Sequence, residues 1–190
     1  MLYQDRTMVP LRFISESLGA DVQWVEANNM VVITTKKDEP KPVIASAGGT
    51  GILPADAKMK EKYTITAATA SVKGHNATVP ENMIDGNMET NWTQQNLDIF
   101  VTFDLGSEKK VDCIAIAWGK GNERTQNFEL QGSVNGKDFT PIVSLTSSGT
   151  TTEKELYGFP AQTVRYIRII NKGNSAGAWI NIFEAEIGLR

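Results

Sequence analysis

The chain has 190 residues, of which 41% are hydrophobic and 22% are charged, ordinary values for a globular protein of one domain or two small ones. Its formal net charge of -3 and sequence pI near 5.3 argue against a nucleic-acid partner, which would require a clustered cationic face. No segment approaches the ~20 consecutive apolar residues of a membrane span, so we expect no bilayer-spanning element.

Residues 1–36 predict a small α+β segment. Pro10 suits the first turn of a helix with an apolar face between Leu11 and Leu18, and Gly19 would end it. Two short strands are predicted around residues 22–24 and 30–33. The segment is small for a core of its own, so we expect it to pack on a neighbour or to be half of a domain. The first residues lack a signal pattern and suggest a piece of a larger multidomain protein.

Residues 37–62 combine charge, proline and glycine without apolar periodicity, and therefore predict a linker. Residues 63–190 instead contain short alternating runs separated by turn residues, such as Ile99 to Leu105, followed by a predicted turn at Gly106–Ser107. Asn135–Gly136 is a strong hairpin signal. About eight such strands, with no useful helical period, predict a mainly β, antiparallel sandwich or barrel.

Three hydrophobic residues are interpreted as core. Cys113 lies in an apolar run and is best explained as a small buried hydrophobe. Since it is the only cysteine, no intramolecular disulfide can form, so the protein is either cytosolic or secreted and stabilised by something other than disulfides. Trp92 and Trp118 are also predicted to be core, whereas Trp179 begins a strand and fits either the core or a ligand contact.

One segment, residues 82–92, is rich in oxygen donors. Asp85 offers a carboxylate, Asn82 and Asn87 offer amide and backbone oxygens, and Thr90 offers a hydroxyl, while Gly86 permits a tight bend. Such spacing can wrap one hard cation, because Ca²⁺ takes 6–8 oxygen ligands. From the spacing alone, an Asp-Gly turn with solvated polar residues is the favoured explanation of the segment.

Two groups of motifs resemble known families. Residues 6–14, Leu18–Gly19–Ala20 and Trp24 resemble the C-terminal half of the copper amine oxidase N-terminal-like domain, which recurs as a stalk in bacterial cell-surface proteins. This resemblance implies architecture rather than redox chemistry, because a copper site needs several imidazoles and the chain has only His75. The second group resembles the discoidin, or coagulation factor V/VIII C-type, domain, and its motifs are Ala70–Ser71, Ile84–Asn87, Thr90–Trp92, Phe103–Gly106, Ser133–Phe139, Arg165–Ile169 and Glu184–Ile187.

Within the discoidin superfamily, the sequence is most similar to family 32 carbohydrate-binding modules, particularly those appended to bacterial alginate lyases. The resemblance implies a galactose-binding-like, jelly-roll sandwich with one structural Ca²⁺ between the first loop and the last strand. The implied ligands are oxygens of Asn82, Asp85, Asn87, Thr90, Ala185 and Glu186. Such an ion would stabilise the folded state by mass action, in place of the absent disulfides.

Sugar sites in this family lie on loops at one end of the sandwich. An Arg can grip a carboxylate or vicinal hydroxyls with two hydrogen bonds, and an aromatic ring can stack on a pyranose. For each candidate, a solvated or core role is the alternative. Lys120 and Arg124, with Glu123 between them, could form an ordinary solvated surface, but the functional interpretation is favoured there. The implied sugar-binding residues are His75, Asn76, Lys120, Asn122, Arg124 and Trp179.

The sequence thus predicts a non-catalytic polysaccharide- or oligosaccharide-binding module of an extracellular or cell-surface bacterial protein. The basic residues at positions 120 and 124 favour an acidic glycan, such as a polyuronate, over a neutral galactoside. No nucleophile motif surrounds His75, so an enzyme is not expected. The alternative function is an adhesion or scaffold domain that binds a protein or another cell-surface ligand. Polar loops disfavour insertion into lipid.

Overall fold

The computed structural model describes residues 51–190 in full, together with the backbone of four short strands within the first 35 residues. The chain divides into two compact units, Met1–Ile44 and Ala45–Arg190. In the first unit, β1 pairs with β2 and β3 pairs with β4, both antiparallel. These strands span Leu2–Tyr3 (β1), Arg6–Thr7 (β2), Ala20–Val25 (β3) and Met30–Thr35 (β4). The two predicted strands are confirmed, and the helix predicted after Pro10 lies outside the described residues.

The second unit is an antiparallel β-sandwich with two short 3-10 helices, His75–Ala77 and Pro80–Met83, between its strands. This architecture confirms the predicted fold class. Its strands are Gly51–Ile52 (β5), Glu61–Tyr63 (β6), Ala67–Ala70 (β7), Trp92–Gln95 (β8), Phe100–Trp118 (β9), Gln126–Ser133 (β10), Thr140–Thr146 (β11), Glu155–Asn174 (β12) and Trp179–Leu189 (β13).

Two long strands, β9 and β12, run through both layers of the sandwich. In the first layer, the second half of β12 lies between β10 and the first half of β9, with β11 and β7 at the edges. In the second layer, the first half of β12 and the second half of β9 join β13, while β5, β6 and β8 pair at the margins. Register shifts near Gly158 and Val164 mark where β12 passes from one layer to the other.

Inward-facing residues of both layers form one hydrophobic core. The alternation predicted from Ile99 to Leu105 is confirmed, since Val101, Phe103 and Leu105 are buried. Trp92, Trp118 and Cys113 are buried too, as predicted. Truncating a buried aromatic residue of such a core to Ala costs about 3–5 kcal/mol.

Two features of the chain differ from the sequence-based expectation. β9 continues through Gly106–Ser107, where a turn was predicted, because Gly106 adopts a positive φ of 76° that bends the strand without ending it. Within the predicted linker, β5 and β6 are bonded to β12 and β13. Strands of two or three residues are too short to produce a detectable alternation, so composition alone made these residues resemble a linker.

Candidate functional site

The oxygen-rich segment folds into a tight turn after the 3-10 helix Pro80–Met83. The Thr90 hydroxyl donates to the Asp85 carboxylate at 2.7 Å and lies 3.0 Å from the Asn87 carbonyl oxygen. The backbone N–H of Asn87 donates to the other Asp85 oxygen at 2.8 Å. Gly86 has a φ of 77°, which a residue with a side chain rarely adopts. Three predicted donors, from Asp85, Asn87 and Thr90, therefore converge on one point.

The last strand, β13, brings a second carboxylate to this turn. The Gly86 N–H donates to the Glu184 carboxylate at 2.7 Å, and Glu184 is buried. Burial raises the pKa of the Glu184 carboxyl, and the Asp85 carboxylate beside it adds to the rise. The hydrogen bond from the Thr90 hydroxyl instead lowers the pKa of Asp85. Two carboxylates thus face each other at the point where the other oxygen donors converge.

Glu186, the predicted carboxylate ligand, has different neighbours. It is bonded to Lys154 and lies 3.5 Å from the Lys62 ammonium. A cavity of about 220 Å³ adjoins the turn, lined by Gly86, Glu184, Ala185 and Glu186 among others. Glu184 and Glu186 lie two positions apart on β13, just after a register shift between Ile182 and Glu184. Simple alternation along the strand gives no sign of this shift.

The donor set of the turn fits a hard cation such as Ca²⁺. It combines two carboxylates with a hydroxyl and a carbonyl oxygen, which are the ligand types that Ca²⁺ prefers. Within residues 51–190, no three His, Cys, Asp or Glu side chains gather in a metal-binding group, so neutral oxygens would have to complete the shell. Asn82 contributes to the turn in another way, because its side-chain amide donates to the Asn91 carbonyl at 2.8 Å.

Three loops that hold the predicted sugar-binding residues meet at the other end of β13. The His75 ring packs edge-on against Trp179 with ring centroids 5.2 Å apart and an interplanar angle of 85°. The loop after β9 is bonded to β13 through the Gly119 N–H and the Asn181 carbonyl at 2.9 Å. The loop before β13 is bonded to the same β9 loop through reciprocal hydrogen bonds between Thr125 and Ser175. We call these three loops the loop cluster: residues 73–78, 119–125 and 174–179.

The loop cluster has a polar, mixed-charge surface. The Lys120 ammonium lies 3.3 Å from the Glu123 carboxylate, and both side chains are mostly exposed. The Arg124 guanidinium donates to the Gly119 carbonyl at 3.4 Å and is half-buried. Asn76 and Asn122 are exposed. Glu123 pairs with Lys120, whereas the Arg124 guanidinium forms no ion pair among residues 51–190 and offers hydrogen-bond donors to a ligand.

Trp179 lies partly exposed at the start of β13, where it pairs with Gln95 of β8. It packs beside His75, and the ligand contact of Trp179 stays a prediction. Leu97, in the loop after β8, is 55% exposed and lies next to Gly173. Sequence reasoning missed Leu97, because a single apolar residue between Asn96 and Asp98 gives no functional signal.

Comparison with known families agrees with this architecture. The F5/8 type C domain family matches residues 64–185, and the copper amine oxidase N-terminal domain family matches residues 1–97. The chain belongs to the F5/8 type C domain family and, through its amino-terminal part, to the copper amine oxidase N-terminal domain family. No curated protein gave a match. The residues that the structure describes contain no helix long and apolar enough to cross a membrane.

Among solved structures, the family 32 carbohydrate-binding module of AlyQ, in complex with 4,5-unsaturated mannuronic acid, is 42% identical, with a TM-score of 0.64. The match covers 67% of this chain and 97% of that module. It covers only 32% of a longer AlyQ chain that also contains an alginate lyase domain. A pectin-binding module is 29% identical, with a TM-score of 0.62, over 66% of this chain and 91% of that one. The chain is therefore homologous to carbohydrate-binding modules, and the predicted absence of catalysis agrees with this family of binding domains.

Proposed function

We propose that the sandwich binds acidic, uronate-containing polysaccharide at the loop cluster. The observation that carries this proposal is the convergence of Trp179, His75 and Arg124 at one end of a domain that is 42% identical to a module solved with unsaturated mannuronic acid. The pectin-binding module among the similar structures also recognises an acidic polysaccharide by its name. Both of these similar modules are named with an acidic sugar as their ligand, which favours a uronate over a neutral sugar for this chain.

Each residue of the loop cluster has a distinct chemical role in this proposal. Trp179 presents an aromatic face to the apolar side of a pyranose, and His75 holds the indole in position through their edge-on contact. Arg124 donates to the uronate carboxylate, because a planar guanidinium matches a carboxylate with two parallel hydrogen bonds. The exposed amides of Asn76 and Asn122 are suited to the sugar hydroxyls, since an amide both donates and accepts.

A structural Ca²⁺ at the oxygen-rich turn is the second part of the proposal. The ion would be held by Asp85, Asn87 and Thr90, together with backbone oxygens of Asn82 and Ala185 and one carboxylate from β13. We assign that carboxylate to Glu184, because it contacts Gly86 directly while Glu186 is occupied by two lysines. When bound, the ion supplies positive charge between two facing carboxylates and fixes the last strand to the first turn.

The setting that fits these features is an extracellular or cell-surface protein of several domains. AlyQ joins a similar module to an alginate lyase domain, and the amino-terminal part of this chain matches a second family. In such an arrangement, the sandwich keeps its parent protein on the polysaccharide, which raises the effective concentration of any linked domain.

Calorimetric titration with oligoalginate, oligogalacturonate and oligogalactose tests the sugar assignment. We expect binding of the two uronates and little binding of the neutral oligosaccharide. Arg124→Ala is expected to weaken uronate binding by at least tenfold, the loss typical of one charge-assisted hydrogen bond. Lys109→Ala, on the strand β9 away from the loop cluster, is the matched control and leaves affinity unchanged. Equal affinity for uronates and galactosides, or no loss in Arg124→Ala, overturns the assignment.

A further inference from the structure

A groove on the outer face of the first layer is separate from the loop cluster and from the oxygen-rich turn. It has a volume of about 240 Å³ and is lined by residues of β7, β9 and β12, with Gly136 at one end. Thr69, Thr102 and Arg168 form one row across three neighbouring strands, since Thr102 pairs with both of the others. The next row contains Asp104 and Tyr166. We call this feature the sheet-face groove.

Arg168 is the cation of the sheet-face groove, and it is held in a fixed orientation. Its guanidinium carbon lies 3.8 Å from the ring centroid of Phe100 and 3.5 Å from that of Phe139, so the guanidinium is stacked between two aromatic rings. Its Nε donates to the Thr102 hydroxyl at 3.2 Å. Stacking and this hydrogen bond leave the edge of the guanidinium, with its terminal N–H groups, as the part available to a ligand.

The acidic groups on this face are already paired with other cations. Arg165 forms two hydrogen bonds of 2.8 Å with the Asp104 carboxylate. Glu129 accepts from Gln131 and lies 3.5 Å from the Lys172 ammonium. Among residues 51–190, therefore, no carboxylate neutralises Arg168. Burial lowers the pKa of Arg168, with no opposing contribution from a carboxylate.

A half-buried cation without a counter-ion is costly, and a ligand that brings an anion relieves this cost. The groove also presents the Thr69 and Thr102 hydroxyls, which can bond to sugar hydroxyls, and the partly exposed ring of Tyr166. The lining thus combines one carboxylate-binding group with groups suited to a polyhydroxylated ring.

We propose that the sheet-face groove is a second carbohydrate site, which binds the carboxylate of a single uronate residue through Arg168. This inference goes beyond the loop cluster, because it concerns different residues on a different face of the sandwich. A chain with two uronate sites would bind one long acidic polysaccharide at two places, and its affinity for the polymer would exceed that for short oligosaccharides.

The test is a nuclear magnetic resonance titration of the ¹⁵N-labelled chain with sodium glucuronate, and with methyl glucoside as the neutral match. We expect glucuronate at millimolar concentration to shift the Arg168 Nε–Hε signal and the Thr69 and Thr102 amide signals, and methyl glucoside to leave them in place. Absence of these shifts, or equal shifts with both sugars, overturns the proposal. Signals of Trp179 and Arg124 report the loop cluster independently, so the two sites succeed or fail separately.

Two variants separate recognition from a structural role. Arg168→Met keeps an apolar stem between the two rings and removes the charge, so we expect the groove affinity for glucuronate to fall about tenfold. Arg168→Lys keeps the charge and is expected to retain part of the binding. If Arg168 were only structural, both variants would lower the melting temperature while the glucuronate shifts of Thr69 and Thr102 persisted, and that result contradicts the proposal. If a variant fails to fold, the shift of the Arg168 Nε–Hε signal on addition of glucuronate to the unmodified chain still tests whether Arg168 binds the uronate.

Discussion

The assignment of Glu184 rather than Glu186 to the proposed ion leads to a sharp prediction. Glu184→Gln is expected to abolish stabilisation by Ca²⁺, because the Glu184 carboxylate contacts Gly86 in the oxygen-rich turn. Glu186→Gln is expected to keep that stabilisation and lose only the contacts with Lys154 and Lys62. The two substitutions make the same chemical change two residues apart on β13, so each is the matched control for the other.

The magnitude follows from mass action on the folded state. At a Ca²⁺ concentration 100-fold above the dissociation constant, a ligand that binds only the folded chain adds about 2.7 kcal/mol. For a domain of this size, 1 kcal/mol corresponds to roughly 3–5 °C in melting temperature, so the expected rise is about 10 °C. Without calcium, Glu184→Gln is expected to match or exceed the melting temperature of the unmodified chain, because it removes the repulsion between Glu184 and Asp85.

Differential scanning calorimetry with EDTA and with excess CaCl₂ measures all three proteins under matched ionic strength. An equal melting temperature in both buffers for the unmodified chain would refute an ion at this turn. Loss of the calcium effect in Glu186→Gln, with its retention in Glu184→Gln, would show that the contact between Glu184 and Gly86 is not the ligand geometry. In that case, the sequence-level assignment of Glu186 would be the correct one.

Three further predictions concern other parts of the sandwich. Burial raises the pKa of the Cys113 thiol to about 12, so the native protein at pH 8 should resist alkylation by iodoacetamide until it unfolds. Labelling is measured by mass spectrometry, and rapid labelling of the native protein would contradict this prediction. In Gly119→Ala, the new Cβ would lie 2.4 Å from the Asn181 side chain, so uronate affinity measured by calorimetry should fall while the fold persists. Lys109→Ala, away from the loop cluster, is the control, and an unchanged affinity in Gly119→Ala would contradict the prediction. The hydrogen bonds from Arg165 lower the pKa of Asp104, so their stabilisation is complete above its unfolded pKa near 3.8 and disappears as the pH falls through the lower folded value. Asp104→Asn should therefore lower the urea midpoint more at pH 7 than at pH 2, and an equal loss at both would exclude this ion pair as the cause.

The sequence predicted the fold where hydrophobic alternation is long enough to detect. Residues 99–105 alternate, and the structure buries alternate side chains there. The hairpin signal at Asn135–Gly136 is confirmed by the antiparallel pairing of β10 and β11. The edge strands β5 and β6 were missed because they contain two and three residues. Gly106 was mistaken for a turn because sequence alone does not distinguish a bend within a strand from the end of the strand.

The residues of the candidate sites also differ in how well the sequence predicted them. The Asp85, Asn87 and Thr90 donors are close in sequence, so their convergence could be predicted from local spacing. The choice between Glu184 and Glu186 depends on which of the two carboxylates meets the turn and which meets Lys154, and this is a property of the tertiary fold rather than of local composition. Arg168 gave no signal, because an outward-facing arginine in a strand is ordinary until its aromatic neighbours and its lack of an acidic partner within residues 51–190 are known.

β13 connects the loop cluster to the oxygen-rich turn within one strand. Trp179 begins this strand, and Glu184 lies five positions later, a separation of roughly 17 Å at the usual rise per residue. Pairing with both β8 and β9 fixes the register along this length. An ion that holds Glu184 to the first turn would therefore act against slippage of the same strand that presents Trp179. Since a slip of one residue would turn Trp179 to the opposite face, the register of β13 is a condition for the aromatic contact with His75.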